Sequence, residues 1–359
     1  MDAASPGAGQ HHLHPLGAQR IAFVSDAWLP QINGVVRVLQ TLQEKLVVRG
    51  HRVEVFAPDQ FNSIPCPTYP EIPLSVLPGR ALARVLERFR PNAIHIATEG
   101  PLGFAGRAWC QRHGVPFTTA YHTKFPEYVH ARTRLPLPWL YGVMKWFHRP
   151  SAGVLAPSAS VYRELTIRGF ANARQWSHGV DPTIFRPVDK DILHLPRPVH
   201  LFVGRIAVEK NLRAFLDLEL SGSKVVVGDG PQRDALIEAY PDAHFRIANG
   251  DAELARYFSA ADVFVFPSRT DTFGLTMLES LACGVPVAAF PVTGPLDVLG
   301  LQAAGETDFG CLDKDLMRAI DKALGKSPEA CRQHALGFSW DRVVDEFLAN
   351  LAPIQRTGI

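Results

Sequence analysis

The segment that decides the fold is an apolar strand followed by a glycine-containing loop and the start of a helix: Val263-Phe264-Val265-Phe266-Pro267-Ser268-Arg269-Thr270-Asp271-Thr272-Phe273-Gly274-Leu275-Thr276-Met277-Leu278-Glu279. Four consecutive apolar residues indicate a buried strand, and the helix is expected to end at Gly284. A strand that continues through a loop into a helix is typical of α/β proteins with parallel sheets. Two carboxylates, Asp271 and Glu279, stand eight positions apart in this segment.

A second segment of the same kind precedes it and carries cations. The apolar run 199–203 is followed by Gly204, with Arg205 and Lys210 five positions apart. Cations beside the free amides at a helix start are suited to a diphosphate, and nearby carboxylates are suited to the hydroxyls of a ribose or a sugar. The two segments together therefore predict a nucleotide-sugar site. Gly228 ends a further strand, where a missing side chain lets a ligand or another backbone approach.

The alternation of strands and helices runs through the whole chain and restarts once. We therefore predict an α/β fold with two doubly wound domains that face each other over a cleft. We place the boundaries at 1–19 for a disordered tail, 20–186 for an acceptor-binding first domain, 187–198 for a proline-rich linker, 199–338 for a donor-binding second domain, and 339–359 for a C-terminal helix and tail.

Composition excludes several classes of protein. The chain has 359 residues, of which 47% are apolar and 20% charged, as in soluble globular proteins. Its five cysteines show no paired spacing, which favours free thiols in a reducing cytosol over a zinc site. No apolar run reaches the roughly 18–20 residues that span a bilayer. Nothing in the sequence points to nucleic acid.

The charges are unevenly distributed along the chain. Residues 1–187 hold 20 Lys and Arg against 11 Asp and Glu, and the remainder holds 17 against 24. A basic first half either meets an anionic surface or is attracted to the acidic half across the cleft. The segment 139–149 mixes aromatic residues with Lys145 and Arg149, which suits either a membrane interface or an ordinary core helix.

Polar residues at the strand ends of the first domain are candidates for the acceptor side. Asn33 and Gly34 open a helix after the first strand, where a bare backbone would admit a phosphate or an acceptor. The dinucleotide glycine fingerprint is absent there, which argues against a dehydrogenase. Glu99, His122 and Lys124 also follow predicted strands, where open α/β sheets bind ligands. The alternative for His122 is a structural histidine.

The combined motifs resemble the retaining glycosyltransferases of family 4, which have the GT-B fold. The family's Glu-x7-Glu element corresponds to Asp271-x7-Glu279, with Asp in place of the first Glu, and Gly-Arg-x4-Lys-Asn is matched from Gly204 to Asn211. The segment 178–181 resembles the family's Asn-Gly-Val-Asp, with His178 as its first residue. Phe338-Ser339-Trp340 resembles the start of the family's C-terminal helix. The resemblance extends from Arg20 to about Leu351.

This resemblance implies two Rossmann-like domains, with a C-terminal helix that crosses back to the first. It implies that Arg205 and Lys210 bind the diphosphate, Glu279 the ribose and Asp271 the transferred sugar. His122 would contact the sugar near its anomeric carbon. Further donor contacts are expected at Gly34, Gly204, Gly228, Phe273, Gly274, Leu275 and Thr276. The implied reaction transfers a hexosyl unit from a nucleotide-diphosphate sugar with retention, giving an α-linkage, with no cofactor and no required metal. Asp271 as a covalent nucleophile and same-face attack within an ion pair are both open.

The segment Tyr121-His122-Thr123-Lys124-Phe125-Pro126-Glu127-Tyr128 is similar to a subgroup that glycosylates lipids, including diacylglycerol mannosyl-, glucosyl- and sulfoquinovosyltransferases. It implies a lipid acceptor, a donor of the UDP-glucose, UDP-glucuronate or GDP-mannose type, and a cytoplasmic protein on the inner face of the membrane. Alternatives are a soluble or polysaccharide acceptor, a nucleotide-sugar 2-epimerase, and a non-catalytic sugar-nucleotide module.

Overall fold

The first half of the chain forms an open sheet of six parallel strands with helices between them. The computed structural model describes residues 17–31, 33–66 and 69–355, so most of the predicted tail, at 1–16, lies outside the described residues. The elements of this half are β1 (Arg20–Val24), α1 (Gly34–Val48), β2 (Arg52–Phe56), β3 (Ser63–Cys66), β4 (Tyr69–Ser75), α2 (Gly79–Phe89), β5 (Ala93–Ile96), α3 (Pro101–Arg112), β6 (Thr118–Ala120), α4 (Phe125–Thr133), α5 (Leu137–His148), β7 (Gly153–Ala156), α6 (Ala159–Ile167) and β8 (Ala173–Gln175). The sheet order is β2-β1-β5-β6-β7-β8.

The second half forms a seven-stranded sheet. Its elements are β9 (Val199–Val203), α7 (Arg213–Leu216), β10 (Ser223–Val227), α8 (Arg233–Ala239), β11 (His244–Arg246), α9 (Asp251–Ala260), β12 (Val263–Phe266), α10 (Leu275–Ala282), β13 (Val287–Ala289), α11 (Thr293–Leu299), β14 (Gly305–Thr307), β15 (Gly310–Leu312), α12 (Leu316–Ala323), α13 (Pro328–Leu336) and α14 (Trp340–Asn350). The order is β11-β10-β9-β12-β13-β15-β14, and only the β14–β15 pair among these is antiparallel.

Both sheets are covered on both faces, because successive residues of a central strand enter different hydrophobic clusters. In β1, Ile21 and Phe23 pack with apolar residues of α1, whereas Ala22 and Val24 pack with residues of α2 and α3. The residues of β9 divide in the same way between two clusters of the second half. The prediction of two doubly wound α/β sheets is confirmed.

The predicted site segments follow the strands at which each sheet reverses its order. The reversal lies between β1 and β5 in the first sheet and between β9 and β12 in the second. In open α/β sheets the carboxyl ends of the strands at such a reversal form the ligand crevice. Glu99 follows β5, Gly204 follows β9 and Asp271 follows β12. The topology thus gives these candidates a position at the two crevices.

The C-terminal helix α14 packs on the first sheet, as the resemblance implied. Phe347 lies with its ring centroid 5.6 Å from that of Phe23. The indole of Trp176 donates a hydrogen bond of 3.1 Å to the carbonyl of Val343. Ser339 caps the helix by accepting from an amide of its first turn. The buried face of α14 is therefore part of the first core, although the second sheet precedes it in the chain.

The β3–β4 hairpin and a turn within the linker are among the features that were not predicted from the sequence. The antiparallel hairpin of β3 and β4 contains prolines that face each other at Pro65 and Pro73, and prolines hide the alternation by which strands are recognised. The predicted linker 187–198 includes a 3-10 turn at Asp191–Leu193. Neither feature lies at the carboxyl edges that carry the candidate site.

Candidate active site

A direct ion pair joins the cation-bearing loop to the carboxylate-bearing loop. Nζ of Lys210 lies 2.5 Å from Oδ1 of Asp271, and the two side chains are 21% and 16% exposed. Next to Lys210, Asn211 has a positive φ of 55°, and its side-chain amide donates to the carbonyl of Pro267 at 3.1 Å. The loops after β9 and β12 are thereby held together, and half-buried Arg205 follows β9 within the same loop.

The glycines after β9 and β10 allow two backbones to approach each other. Gly204 and Gly228 have φ values of 154° and 150°. A Cβ added to Gly228 would lie 2.0 Å from the carbonyl oxygen of Gly204. The sequence left open whether a ligand or another backbone approaches Gly228. In the structure the neighbour is the backbone of Gly204. The donor contact of Gly228 stays a prediction.

The start of α10 is shaped by glycine and by close packing. Gly274 precedes the helix with a φ of 94°, in the left-handed region that glycine adopts without strain. A Cβ on Gly294 would lie 2.5 Å from the carbonyl oxygen of Phe273, so the loop sits directly on the start of α11. Leu275 and Thr276 are half-buried in the first turn of α10. This turn has amides without intrahelical partners, as any helix start does.

Glu279 is buried on α10 and bound by an arginine from the first half of the chain. Nη2 of Arg37 lies 2.9 Å from Oε1 of Glu279 and 3.0 Å from Oδ1 of Asp251. Burial raises the pKa of Glu279, the Arg37 guanidinium lowers that pKa, and the Asp251 carboxylate raises it further. Sequence reasoning identified Glu279 but neither of its charged neighbours.

His122 is half-buried where the two halves touch, with its Nε2 shielded from solvent. The hydroxyl of Thr272 donates a 2.7 Å hydrogen bond to the carbonyl of His122. The imidazole stacks on that of His178, with ring centroids 6.2 Å apart. Burial is the largest cause that lowers the pKa of His122 well below its usual range, and His178 and His95 lower it further. His122 is therefore neutral at physiological pH.

Three buried polar atoms without a hydrogen bond belong to this contact region. They are Nε2 of His122, Oγ1 of Thr270 and Oδ2 of Asp271. Thr270 and Asp271 directly precede Thr272, which contacts His122. Buried polar atoms in proteins are usually hydrogen-bonded, so a cluster of unsatisfied ones can accept a polar ligand. Tyr128 lies near the same region. Burial raises the pKa of its phenol, and the nearby Asp271 carboxylate raises that pKa further.

The candidates at the start of α1 have different surroundings. Asn33 caps the helix, since its Oδ1 accepts from the amide of Val36 at 3.0 Å. Gly34 is exposed, and a Cβ added there would meet no atom within 4 Å. The space beside Gly34 is open to a ligand, and the roles of both residues stay predictions.

Glu99 and Lys124 are both held by other side chains. Nε2 of His148 donates to Oε1 of Glu99 at 3.1 Å, and Nδ1 of the same ring lies 2.9 Å from the hydroxyl of Thr119. Nζ of Lys124 lies 2.8 Å from a carboxylate oxygen of Glu164 and 3.1 Å from the hydroxyl of Thr293. Lys124 therefore connects the two halves of the chain. Acceptor contacts at Glu99 and Lys124 stay predictions.

Sequence reasoning missed residues whose partners in the site are far away in the sequence. Arg37 lies three positions after Gly34 on α1, and its charge at a helix start beside the cleft was a usable signal. Asp251 gave no signal, because an acidic residue in the first turn of a helix is common. Asp26, which accepts from the amides of Leu102 and Gly103, could not be separated from an ordinary loop residue.

An exposed surface on α5 combines aromatic and basic side chains. Trp139 and Trp146 are 59% and 54% exposed, and Val143 is exposed beside them. Lys145 and Arg149 are exposed as well. The opposite face of the helix, with Leu140, Tyr141, Met144, Phe147 and His148, is buried. The core-helix interpretation applies to the buried face, and the membrane interface stays a prediction for the exposed face. In the part of the chain that the structure describes, no helix is long and apolar enough to cross a membrane.

Comparison with known proteins gives matches along most of the chain. The family model "Glycosyltransferase Family 4" matches residues 32–184, and "Glycosyl transferases group 1" matches residues 197–325. The chain is 31% identical to a GDP-mannose-dependent alpha-mannosyltransferase of Mycobacterium tuberculosis, over 94% of this chain and 97% of that protein. It is 28% identical to an alpha-monoglucosyldiacylglycerol synthase of Streptococcus pneumoniae, over 88% and 80%. Sucrose-phosphate synthase from Thermosynechococcus elongatus has a similar fold, with a TM-score of 0.73 at 21% identity over 92% of this chain and 98% of that one.

Proposed function

The chain belongs to the group 1 glycosyltransferases of family 4, and we propose that it is a retaining hexosyltransferase that glycosylates a lipid. As a member of this family with the GT-B fold, it is an enzyme that takes a sugar from a nucleotide-sugar donor. The donor base, the hexose, the acceptor and the stereochemistry belong to our proposal.

The observation that carries the proposal is the meeting of polar groups from both halves of the chain at the loop after β12. Lys210 and Asp271 form their ion pair on the second half, and His122 from the first half lies against the same loop. The cationic, anionic and neutral groups that a nucleotide sugar needs are thus adjacent. A surface ion pair with no function would not require, on the segment that contacts its loop, a histidine whose Nε2 is shielded from solvent and lacks a hydrogen bond.

The proposed chemistry assigns one part of the donor to each group. Arg205 and Lys210 stabilise the negative charge that develops on the departing diphosphate, which lowers the barrier more than it stabilises the bound donor. Glu279 accepts hydrogen bonds from the ribose. Asp271 and His122 bind the hexose, because Oδ2 of Asp271 and Nε2 of His122 lack partners and can take sugar hydroxyls.

Retention is proposed from the resemblance to the retaining enzymes of family 4, and two routes for Asp271 agree with it. In one route Asp271 displaces the nucleoside diphosphate at the anomeric carbon to form a glycosyl-enzyme, and the acceptor hydroxyl then displaces Asp271 and gives its proton to the departed phosphate. In the other, the bond to the diphosphate breaks, the acceptor hydroxyl attacks from the same face and gives its proton to the leaving phosphate, and Asp271 only stabilises the cationic sugar. The neutral state of His122 suits hydrogen bonding to a sugar hydroxyl in either route, since a charged imidazole there would oppose the developing positive charge.

The lipid acceptor is proposed from the surface of α5 and from the net positive charge of the first half. Exposed tryptophans beside lysine and arginine suit a bilayer interface with anionic headgroups. The Streptococcus pneumoniae relative is named as a synthase of a glucosylated diacylglycerol. A soluble glycan acceptor would not use such a surface.

The function is tested by incubating the purified protein with a panel of UDP- and GDP-sugars and with either diacylglycerol vesicles or soluble glycans, and by identifying products by mass spectrometry. We expect a glycosylated lipid from one donor. The Glu279→Ala variant should fold and transfer far less than the wild type at donor concentrations near the wild-type KM. Glycosylation of soluble glycans alone would contradict the lipid acceptor, and a new sugar nucleotide formed from the donor alone would indicate an epimerase.

Activity should be unchanged by a metal chelator, since Arg205 and Lys210 supply the charge that a metal would otherwise provide.

The membrane surface is tested by sedimentation with vesicles that contain anionic lipid. Replacing Lys145 and Arg149 by Glu should lower the bound fraction. A matched control replaces Arg84 and Arg88, which are exposed on α2, with the same change of charge. Equal losses in both variants would mean that net charge rather than the α5 surface determines binding.

A further inference from the structure

Arg37 reaches across the cleft to the carboxylate that we assign to the ribose. Its Nη2 lies 2.9 Å from Oε1 of Glu279, and its Nη1 lies 3.4 Å from Oε2 of the same group. Nη2 also lies 3.0 Å from Oδ1 of Asp251. A guanidinium that engages both oxygens of a carboxylate fixes its orientation as well as its position.

The surroundings of Glu279 explain why a fixed cation is needed there. Burial raises the pKa of Glu279, and Asp251 on α9 adds to this, while Arg37 on α1 opposes both. The thiol of Cys283, at the end of α10, is also near, and burial raises its pKa to about 12, so it stays uncharged. Without Arg37, the buried carboxyl would keep a proton to a higher pH and lose part of its capacity as an acceptor.

We propose that Arg37 is a positioning residue for the donor, which holds the Glu279 carboxylate so that its remaining lone pairs accept the two ribose hydroxyls. This inference rests on the proposed function, because it takes Glu279 as the ribose contact. A carboxylate offers about four acceptor directions, and the guanidinium occupies those on one side. Donor binding then depends on a residue of the first half of the chain, although the donor lies mainly on the second.

Two other roles for Arg37 make different predictions. If the guanidinium only joins the two halves, its removal changes thermal stability and leaves nucleotide affinity unchanged. If it competes with the ribose for Glu279, its removal tightens nucleotide binding. A positioning role predicts weaker binding with little change in turnover at saturating donor, because the ribose is remote from the bond that breaks.

The experiment compares Arg37→Ala and Arg37→Lys with Arg49→Ala as a matched control. Arg49 directly follows α1, pairs with Asp341 and Asp345, and has a side chain 28% exposed against 27% for Arg37. Calorimetry gives the dissociation constant of UDP and GDP, and initial rates give donor KM and kcat. We expect Arg37→Ala to weaken nucleotide binding about tenfold to a hundredfold, as for a hydrogen bond to a charged group, with Arg37→Lys between it and the wild type. Arg49→Ala should bind nucleotide as the wild type does.

Two further readouts separate positioning from a general structural effect. As the pH is lowered, the nucleotide affinity of Arg37→Ala should begin to fall at a higher pH than the affinity of the wild type does. The reason is that Glu279 becomes protonated at a higher pH when Arg37 is absent. The wild type should prefer a ribonucleotide to the 2′-deoxy analogue more strongly than Arg37→Ala does. Equal or tighter binding in a folded Arg37→Ala that still turns over donor would overturn the inference and leave the function intact. A wild type that binds neither nucleotide would contradict the function itself.

Discussion

Nζ of Lys210 lies 2.5 Å from Oδ1 of Asp271, and this ion pair joins the two loops that follow β9 and β12. Lys210 is assigned to the diphosphate and Asp271 to the hexose, which lie on the two sides of the bond that breaks. Their ion pair therefore sets the distance between these two parts of the site. A shift of either side chain changes the position of both. The loop after β12 carries the second contact of the site, from Thr272 to the carbonyl of His122.

Replacing Lys210 by Ala should lower kcat by about 100- to 1,000-fold, the usual cost of losing one group that stabilises developing negative charge. Initial rates at saturating donor measure this. Lys322→Ala is the control, since Lys322 pairs with Glu306 on the exposed side of the same half. A Lys210→Ala enzyme with near wild-type kcat would exclude this residue from the chemistry.

Glu99→Gln should raise the KM for the acceptor about tenfold while leaving the donor KM unchanged. Glu99 is held by His148, which is itself fixed by Thr119, so an acceptor hydroxyl would meet a preoriented carboxylate. The amide loses one acceptor oxygen and part of the hydrogen-bond energy of a charged group. The matched control is Glu87→Gln, at an exposed position on α2. An altered donor KM with an unaltered acceptor KM would reverse the assignment.

His178 should make the protein less stable in mild acid. Burial lowers the pKa of His178 from 6.5 to about 4. Between these values the unfolded chain binds a proton that the folded protein does not, so stability falls as pH drops from about 6.5 towards 4. The linkage amounts to about 2 kcal/mol between pH 7 and pH 5.

The measurement is denaturant unfolding of the wild type and of His178→Asn at both pH values. The stability of the wild type relative to the variant should fall by roughly this amount of about 2 kcal/mol on going to pH 5. The difference reports on His178 together with its effect on His122, whose pKa it lowers, because His95 and the raised carboxyls, such as Asp26, are common to both proteins. A constant difference would mean that His178 titrates normally.

Phe347→Ala should destabilise the first half of the chain by about 3–5 kcal/mol, as expected for removing a buried aromatic ring. The ring is fully buried between Phe23, His95 and Trp176. Calorimetric unfolding should show the loss. Arg342→Ala, on the exposed face of the same helix, should change stability by about 0–1 kcal/mol. Equal effects would show that α14 is not part of the core.

The sequence allowed the α/β alternation and the strand-end candidates to be predicted, because apolar runs and glycine turns are local signals. β9 and β12 were recognised as apolar strands, and the loops after them carry Lys210 and Asp271. The crossover of α14 came from a resemblance, since nothing in a one-faced apolar helix identifies the sheet that receives it. The proline-containing hairpin had no readable alternation.

The partners within the site could not be predicted, because they depend on contacts between distant parts of the chain. Arg37 and Glu279 are 242 residues apart, and Glu99 meets His148 over 49 residues. The carbonyl of His122 likewise meets the second half of the chain, through the hydroxyl of Thr272. Pattern and spacing therefore identified side chains, whereas their charge states and partners required the assembled cleft.

The central claim is that this enzyme transfers a hexosyl unit to a lipid with retention. Proton NMR of the product formed from an α-linked nucleotide sugar and diacylglycerol measures the anomeric configuration directly. We predict a single glycolipid with an α-linkage. A β-linked product, or donor consumption without any glycolipid, would contradict the account.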